Sequence, residues 1–373
     1  MLQDFQKTHL VIMFSFIKSF LARHKKKLFV LGMFAGGAVL GTRYAQRRFI
    51  EWQEKETKEF LERTRKQHYF ESSEKTCNQT IIFLSSTLRE NIVNHVNCEA
   101  VIQQLREGPS NKLDLWQELK ILVFTKVCLL VYSGTLLVIA LRIQLNVIGG
   151  FIYSKSTAPG SDPTFTSDLQ EKYLSQCHYF LEEGMKELCP LVKEKVNCVL
   201  QDITLKQNMT LQHIENMFWA IQSAVNDDPR GPLNRMPELL YGSGFEQGDT
   251  FIKGMMLDTI ELLNRPEVKE LASSCISRGF SHLVDRVSEF FLPDDKNPLS
   301  QVPSTTNTTN GLVKFAHPNN FSRPFAKIIP IINGYGNSNR TDGSESWVSP
   351  FLYMEGVKTF GANIFESYSY SSQ

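Results

Sequence analysis

Apolar and charged positions divide the start of the chain into distinct blocks. An uncharged apolar stretch runs from Leu28 to Thr42 and is followed by Arg43, Arg47 and Arg48. As a helix it reaches about 22 Å at about 1.5 Å per residue, so it spans a bilayer core only when flanking Lys and Arg side chains extend toward the headgroups. The pattern predicts a short membrane anchor within residues 23–48. The basic cluster before it consists of Arg23, His24, Lys25, Lys26 and Lys27.

Two alternatives to an anchor remain open for this stretch. A secretory signal peptide also places a basic region before a short apolar one, but no small-x-small cleavage site follows Gly41. An ordinary buried helix is the other alternative. Its glycines would cost about 1 kcal/mol each there, whereas a small-residue face is common in membrane helices. Residues 1–22 carry a weaker amphipathic pattern that suits a membrane surface.

Apolar spacing after the anchor predicts a series of helices. The charged segment 44–70 lacks Gly and Pro, so we expect it to continue out of the membrane as a solvated helix. Apolar residues at three- and four-residue steps predict a helix over 81–105 that ends at Gly108-Pro109. A long helix is predicted over 112–147, where Val127–Leu141 is uncharged. It is either a second membrane span or the central buried helix of a bundle, and its polar residues favour the buried helix.

The rest of the sequence keeps the helical pattern, with polar loops between the helices. Gly149-Gly150 follows the predicted long helix, a polar loop is expected near Ser154–Asp168, and further loops are expected over 227–250 and 293–323. No sustained apolar/polar alternation occurs, so the predicted fold is all-α, a single large helical bundle domain behind one N-terminal anchor helix. Helices are predicted over 167–204, 208–226, 249–264, 266–292 and 349–368.

The charge distribution and the cysteines limit the partners and the cellular compartment that this chain can have. Residues 1–48 carry nine Lys or Arg against one Asp. The remaining chain is acidic, with 31 Lys or Arg against 38 Asp or Glu. A cationic head suits anionic lipid headgroups, and an acidic body argues against nucleic acid as the main partner. The seven cysteines are scattered and form no C-x-x-C pair, as expected of free thiols in a reducing compartment.

Catalytic and metal-binding motifs are not found in the sequence. The glycines of residues 242–248 have the wrong spacing for a dinucleotide loop, and the eight histidines form no H-x-x-x-H pair. We therefore expect no enzymatic activity, cofactor, metal or small-molecule substrate. A membrane-anchored enzyme with a dispersed site is the alternative from another class.

One segment carries more apolar surface than a single buried face needs. Leu115, Leu119 and Leu122 form one helical stripe, and Leu113 and Trp116 lie on a neighbouring face. Tryptophan at the end of a bundle is a frequent anchor for a protein partner. Ordinary packing of Trp116 at the helix start is the other interpretation that spacing allows.

The chain resembles the peroxin-3 family of peroxisomal biogenesis factors. The resemblance is strongest over Ser110–Gly150, where SNKLDLWQELKI leads to LRIQLNVIGG. It extends to the basic cluster with its glycine-rich anchor, to SRGFSHLVDRVSEFF at Ser277–Phe291 and to AKIIPIING at Ala326–Gly334. These pieces occur in the family's order and together span most of the chain.

This resemblance implies a docking receptor in the peroxisomal membrane, with the bulk of the chain facing the cytosol. Its helical domain would bind an amphipathic helix of peroxin-19, the chaperone that delivers newly made membrane proteins. The expected domains are an N-terminal extension (1–22), the basic cluster and anchor (23–48) and the peroxin-19-docking domain (49–373). Transit through the endoplasmic reticulum and a second role as a tether for organelle inheritance or turnover stay open. The partner-binding residues it implies are Val101, Leu105, Lys112, Leu115, Trp116, Leu119, Ile148 and Ile152.

Overall fold

The computed structural model describes residues 2–108, 110–157, 166–242, 250–291, 321–336 and 346–370, and for residues 2–43 and Ala45 the backbone alone. The helices are α1 (Leu2–Val96), α2 (Cys98–Arg106), α3 (Lys112–Thr157), α4 (Ser167–Ser175), α5 (Met185–Leu200), α6 (Leu211–Asn226), α7 (Met236–Tyr241), α8 (Thr250–Asn264), α9 (Pro266–Ser288), α10 (Phe325–Asn333), α11 (Ser349–Leu352) and α12 (Glu355–Ser369). A π-helical segment, Phe180–Gly184, leads into α5, and a 3₁₀ turn, Glu289–Phe291, follows α9. The predicted all-α fold is confirmed.

The chain divides into two compact units, Met1–His68 and Tyr69–Gln373. In the first unit, the side chains of residues 46–65 are exposed, and Glu59 pairs with Lys55 and Arg63 across one helical turn. This agrees with the predicted solvated helix. The predicted anchor at 28–42 has a helical backbone within α1, but its side chains and those of the basic cluster lie outside the described set.

Helix α3 is the centre of the second unit. It has 46 residues, about 69 Å at about 1.5 Å each, and α2, α5, α9, α10 and α12 pack around it. Among the described residues it is the helix long and apolar enough to cross a membrane, but 94% of that apolar window is buried within the protein. The prediction of a buried central helix is therefore confirmed.

The predicted end of α3 was wrong. Gly149-Gly150 does not end the helix, which continues to Thr157. A Cβ atom at Gly150 would lie 2.7 Å from the Cβ of Tyr368 and 2.9 Å from the carbonyl oxygen of Phe365. These glycines therefore let α12 approach the α3 backbone closely. In the sequence alone, a pair of glycines placed for this purpose looks the same as a pair that begins a loop.

The predicted helix over 81–105 is two helices. Asn97 has φ 47° and ψ 52°, a left-handed conformation, and its side chain accepts a hydrogen bond from the Ala100 backbone N–H at 3.2 Å. Asparagine tolerates this conformation better than most residues, so it can end one helix and cap the next. The helix is interrupted at Asn97, and α2 packs against α3.

Smaller departures concern the connections between helices. The loop predicted over 227–250 contains α7, and residues 243–249 lie outside the described set. Asn208–Met209 pairs with Arg323–Pro324 in a two-residue antiparallel ladder that the sequence did not predict. Most of the loop predicted over 293–323 lies outside the described residues.

Candidate functional site

The candidate site lies at the end of the second unit where α2 leads into α3. Val101 is buried on α2, while Ile102 and Leu105 are half-buried against the core. Gly108, at φ 77°, takes the backbone conformation that lets the chain turn toward α3. The C-terminal end of α2 and the N-terminal end of α3 are thereby brought together.

A buried stripe runs along the first half of α3. Leu115, Leu119 and Leu122 are buried at helical spacing, and Lys126 continues the same stripe. Burial raises the pKa of the Cys98 thiol on α2, and the nearby Lys126 ammonium partly offsets that rise. Cys98, at the start of α2, is therefore near Lys126, and the two helices run in opposite directions.

Trp116 lies at the edge of this buried stripe. Its side chain packs on the core but is only half-buried. Lys112, one turn earlier, is exposed, and the side chain of Leu113 is 66% exposed. An indole, a leucine and an ammonium group thus share a solvent-facing surface at the first turn of α3.

A buried lysine joins the other side of this surface to α5. The Nζ atom of Lys120 donates hydrogen bonds to the carbonyl oxygens of Leu200, at 2.8 Å, and Ile203, at 2.9 Å. Burial lowers the pKa of Lys120. Leu200 is the last residue of α5 and Ile203 lies in the turn that follows, so this turn is fixed beside Lys120 of α3.

The structure brings together six of the eight partner-binding residues implied by the resemblance. Ile148 and Ile152 are the exceptions. They lie 32 and 36 residues beyond Trp116 on the same helix, at least about 48 Å away at about 1.5 Å per residue. Their surroundings are α12 and α8, where Phe151 packs on Tyr368 and Phe251. These two residues cannot wall the surface around Trp116. The six that share one end are Val101, Leu105, Lys112, Leu115, Trp116 and Leu119.

Sequence reasoning left out of the site two residues that lie at this end of the domain. Leu113 had a signal, since it belongs to the second apolar stripe on the sequence. Ile203 had none, because only the three-dimensional contact of Lys120 with the turn after α5 places it nearby.

Among the described residues, no group of three or more His, Cys, Asp or Glu side chains could hold a metal ion. Six of the seven cysteines are buried, and burial raises the pKa of Cys77 to about 11 and of Cys177 and Cys275 to about 12. Such thiols stay protonated at neutral pH and are poor nucleophiles.

Comparison with known families shows which family the chain belongs to. A sequence model of the family Peroxin-3 matches residues 19–112, 107–164 and 157–367. The chain belongs to the Peroxin-3 family. It is 34% identical over 381 residues to peroxisomal biogenesis factor 3 of Bos taurus, covering 97% of this chain and 99% of that protein. The Homo sapiens protein of the same name is 34% identical over 375 residues, covering 95% and 98%.

A more distant plant relative matches part of the chain. Peroxisome biogenesis protein 3-2 of Arabidopsis thaliana is 29% identical over 232 residues, covering 55% of this chain and 62% of that protein. The vertebrate relatives, in contrast, match this Peroxin-3 chain over almost its whole length.

Proposed function

We propose that this Peroxin-3 chain acts in peroxisome biogenesis as a membrane docking receptor for peroxin-19 loaded with newly made membrane proteins. The observation that carries the proposal is the half-buried Trp116 at the start of α3, beside α2. Family membership supports the role in biogenesis, and the resemblance supplies the partner. The receptor would act by binding alone, without an enzymatic step.

The surface suits an amphipathic helix. Such a helix inserts apolar side chains at i, i+3 or i+4 and i+7 into a groove. Trp116 would be the central anchor, because a large, partly exposed aromatic side chain loses much water-contacting area when it is covered. Leu105 on α2 and Leu115 on α3 would flank it, and buried Leu119 and Val101 would support the floor.

Charge at the rim would favour an acidic partner helix. Lys112 is exposed next to the apolar surface. An exposed lysine accelerates the approach of an acidic segment more than it strengthens the final complex. We therefore assign Lys112 to steering and the apolar residues to affinity.

The N-terminal part of the chain would hold the receptor at the peroxisomal membrane. Residues 23–48, with the basic cluster Arg23–Lys27, would be the anchor and targeting segment, and the helical domain after it would face the cytosol. Lysine and arginine beside a short span also suit anionic lipid headgroups.

A flotation experiment tests this function. Liposomes carrying the full chain are mixed with peroxin-19, with and without a bound membrane-protein cargo, and are floated through a density gradient. We expect peroxin-19 to float with the receptor liposomes and to stay at the bottom with bare liposomes. If peroxin-19 floats equally with both, docking by this chain is wrong, and a tether role that does not use peroxin-19 becomes the better account.

A further inference from the structure

We infer, resting on the membrane anchor proposed above, that contact with the bilayer continues along α1 beyond residue 48 and ends at Trp52. The side chains that make this contact lie where the chain leaves the anchor, in the headgroup layer of the membrane. Lipid headgroups and the upper ends of the acyl chains are the partner of this surface, not peroxin-19. We call it the interfacial belt, and it consists of Tyr44, Phe49, Ile50 and Trp52.

The interfacial belt is apolar and aromatic surface that stays exposed in the described part of the chain. Tyr44 is 65% exposed, Phe49 61%, Ile50 53% and Trp52 58%. The rings of Phe49 and Trp52 lie side by side, with their centroids 6.0 Å apart. Four such side chains within nine residues leave a concentrated surface that water solvates poorly.

The length of the helix matches this depth. The anchor over residues 28–42 reaches about 22 Å at about 1.5 Å per residue, which is about 8 Å less than a hydrocarbon core of about 30 Å. Residues 23–52 are helical throughout their backbone. They reach about 45 Å, and a bilayer with both headgroup layers is about 40–45 Å thick. When the basic cluster lies in one headgroup layer, the interfacial belt lies at the other.

The charges along this stretch also suit lipid. No Asp or Glu occurs from Leu28 to Ile50, and the first carboxylate is that of Glu51. The positive side chains of the stretch have long aliphatic stems, so they can follow the apolar surface and place their guanidinium groups among anionic headgroups. These side chains are Arg43, Arg47 and Arg48.

Tyr44 and Trp52 are the residue types that favour this layer. Their rings are apolar, but each carries one polar group that needs a hydrogen-bonding partner, and both types are enriched where a bilayer meets water. Arg48 lies against Tyr44. Its Nε atom donates a hydrogen bond to the Tyr44 hydroxyl at 3.3 Å, and its Cζ atom is 5.9 Å from the centroid of the ring.

A second copy of the chain is a poorer partner for this surface. A two-stranded coiled coil needs apolar residues that recur every 3.5 residues along one seam. Seven residues after Phe49 stands Glu56, and seven residues after Trp52 stands Glu59. Glu59 is already paired with Lys55 and Arg63 of its own helix. The heptad pattern therefore fails within one repeat.

Phe60 and Leu61 provide a matched control on the same helix. They follow Phe49 and Ile50 by eleven residues, which is close to three full turns, so they lie on the same face. Phe60 and Leu61 are also more than half exposed. They lie about 16 Å farther along α1 at about 1.5 Å per residue, beyond the headgroup layer. Depth, not apolar character, separates the two pairs.

The test places one fluorophore on the full chain in liposomes of phosphatidylcholine and phosphatidylserine. Phe49→Cys and Phe60→Cys are each made in the Cys198→Ser background, because the other six native cysteines are buried. Each labelled chain is quenched by a lipid that carries a nitroxide near the headgroup end of its acyl chain, and separately by iodide in the buffer. We expect the lipid nitroxide to quench the probe at residue 49 and iodide to quench the probe at residue 60.

Extraction with alkaline carbonate measures what the interfacial belt contributes to membrane attachment. The Phe49→Ala, Trp52→Ala double variant should lose a larger fraction of chain from the liposomes than wild type loses. The Phe60→Ala, Leu61→Ala double variant removes similar apolar surface outside the headgroup layer and should be retained as wild type is.

The outcomes separate the interfacial belt from the anchor. If the chain floats with liposomes but iodide quenches both probes equally, or the lipid nitroxide quenches both, a belt that ends at Trp52 is wrong. Protection of residue 49 from iodide without quenching by the lipid nitroxide would show that protein covers this face, which also overturns the inference. If the wild-type chain does not float with liposomes, the proposed anchor is wrong and the interfacial belt falls with it.

Discussion

The Nζ atom of Lys126 donates hydrogen bonds to the carbonyl oxygen and to the side-chain oxygen of Asn333, each at 2.6 Å. This contact ties the end of α10 to the middle of α3. Burial lowers the pKa of Lys126, and the two hydrogen bonds to Asn333 offset part of the cost of burying its ammonium group.

Replacing Lys126 should therefore destabilise the fold. Lys126→Met leaves both oxygens of Asn333 without that donor, and we expect the free energy of unfolding to fall by about 1 to 3 kcal/mol. The measurement is urea unfolding of the full chain in detergent micelles, followed by tryptophan fluorescence. Lys253→Met, at an exposed position of α8, is the control and should leave the midpoint unchanged. Equal midpoints for both variants would contradict this role.

Two glycines should respond in opposite directions to the same substitution. Gly150→Ala puts a Cβ atom against the Tyr368 side chain and the Phe365 backbone, so it should lower the unfolding free energy by about 1 to 3 kcal/mol. Gly254 has open space around its missing Cβ within α8, so Gly254→Ala should raise it by up to about 1 kcal/mol. The same urea titration compares them. An unaffected Gly150→Ala would contradict the close contact of α12 with α3, and a destabilised Gly254→Ala would contradict the open space at Gly254.

Thiol accessibility offers a direct test of the core. Cys198 is exposed on α5, and the other six cysteines are buried. Labelling with a thiol reagent at pH 8 should modify one thiol per native chain quickly and all seven after denaturation. Cys198→Ser should remove the fast phase. Fast labelling of any thiol in that variant would contradict the described packing.

Stability should decrease as pH rises above 9. Burial raises the pKa of Cys177 and Cys275 from 9.0 to about 12. A group whose pKa is higher in the folded state stabilises fully below its unfolded pKa and loses that contribution as pH rises toward the folded pKa. Between pH 9 and 10 each thiol should cost about 1 kcal/mol.

Urea midpoints from pH 7.5 to 10, with a reductant present, measure this dependence. The Cys177→Ala, Cys275→Ala double variant starts less stable but should lose less between pH 9 and 10. An identical slope for the double variant and wild type would show that other groups cause the fall.

Helical periodicity allowed much of the fold to be predicted. Three- and four-residue spacing located most of the longer helices, and polar residues inside Val127–Leu141 indicated that α3 is buried. The break at Asn97 was missed because one left-handed residue changes the chain direction without disturbing the apolar spacing. Gly149-Gly150 was misread because glycine serves loops and close helix contacts alike.

The candidate site was only partly predictable for a related reason. The residues around Trp116 are near one another in sequence, so a local motif could identify them. Ile148 and Ile152 were proposed as walls of the surface, but the length of α3 carries them to the far end of the domain. Ile203 lies beside α3 through a contact across 83 residues, which no local pattern records.

We propose that Trp116 is the anchor for the peroxin-19 helix. The most direct test is the affinity of a fluorescein-labelled peptide of the peroxin-19 N-terminal helix for the full chain in lipid nanodiscs, measured for wild type, Trp116→Ala and Trp219→Ala. Trp219 is 70% exposed on α6 and serves as a matched tryptophan control. We predict that Trp116→Ala loses about 2 to 4 kcal/mol of binding free energy and that Trp219→Ala loses none. A loss under about 0.5 kcal/mol for Trp116→Ala would contradict the assignment.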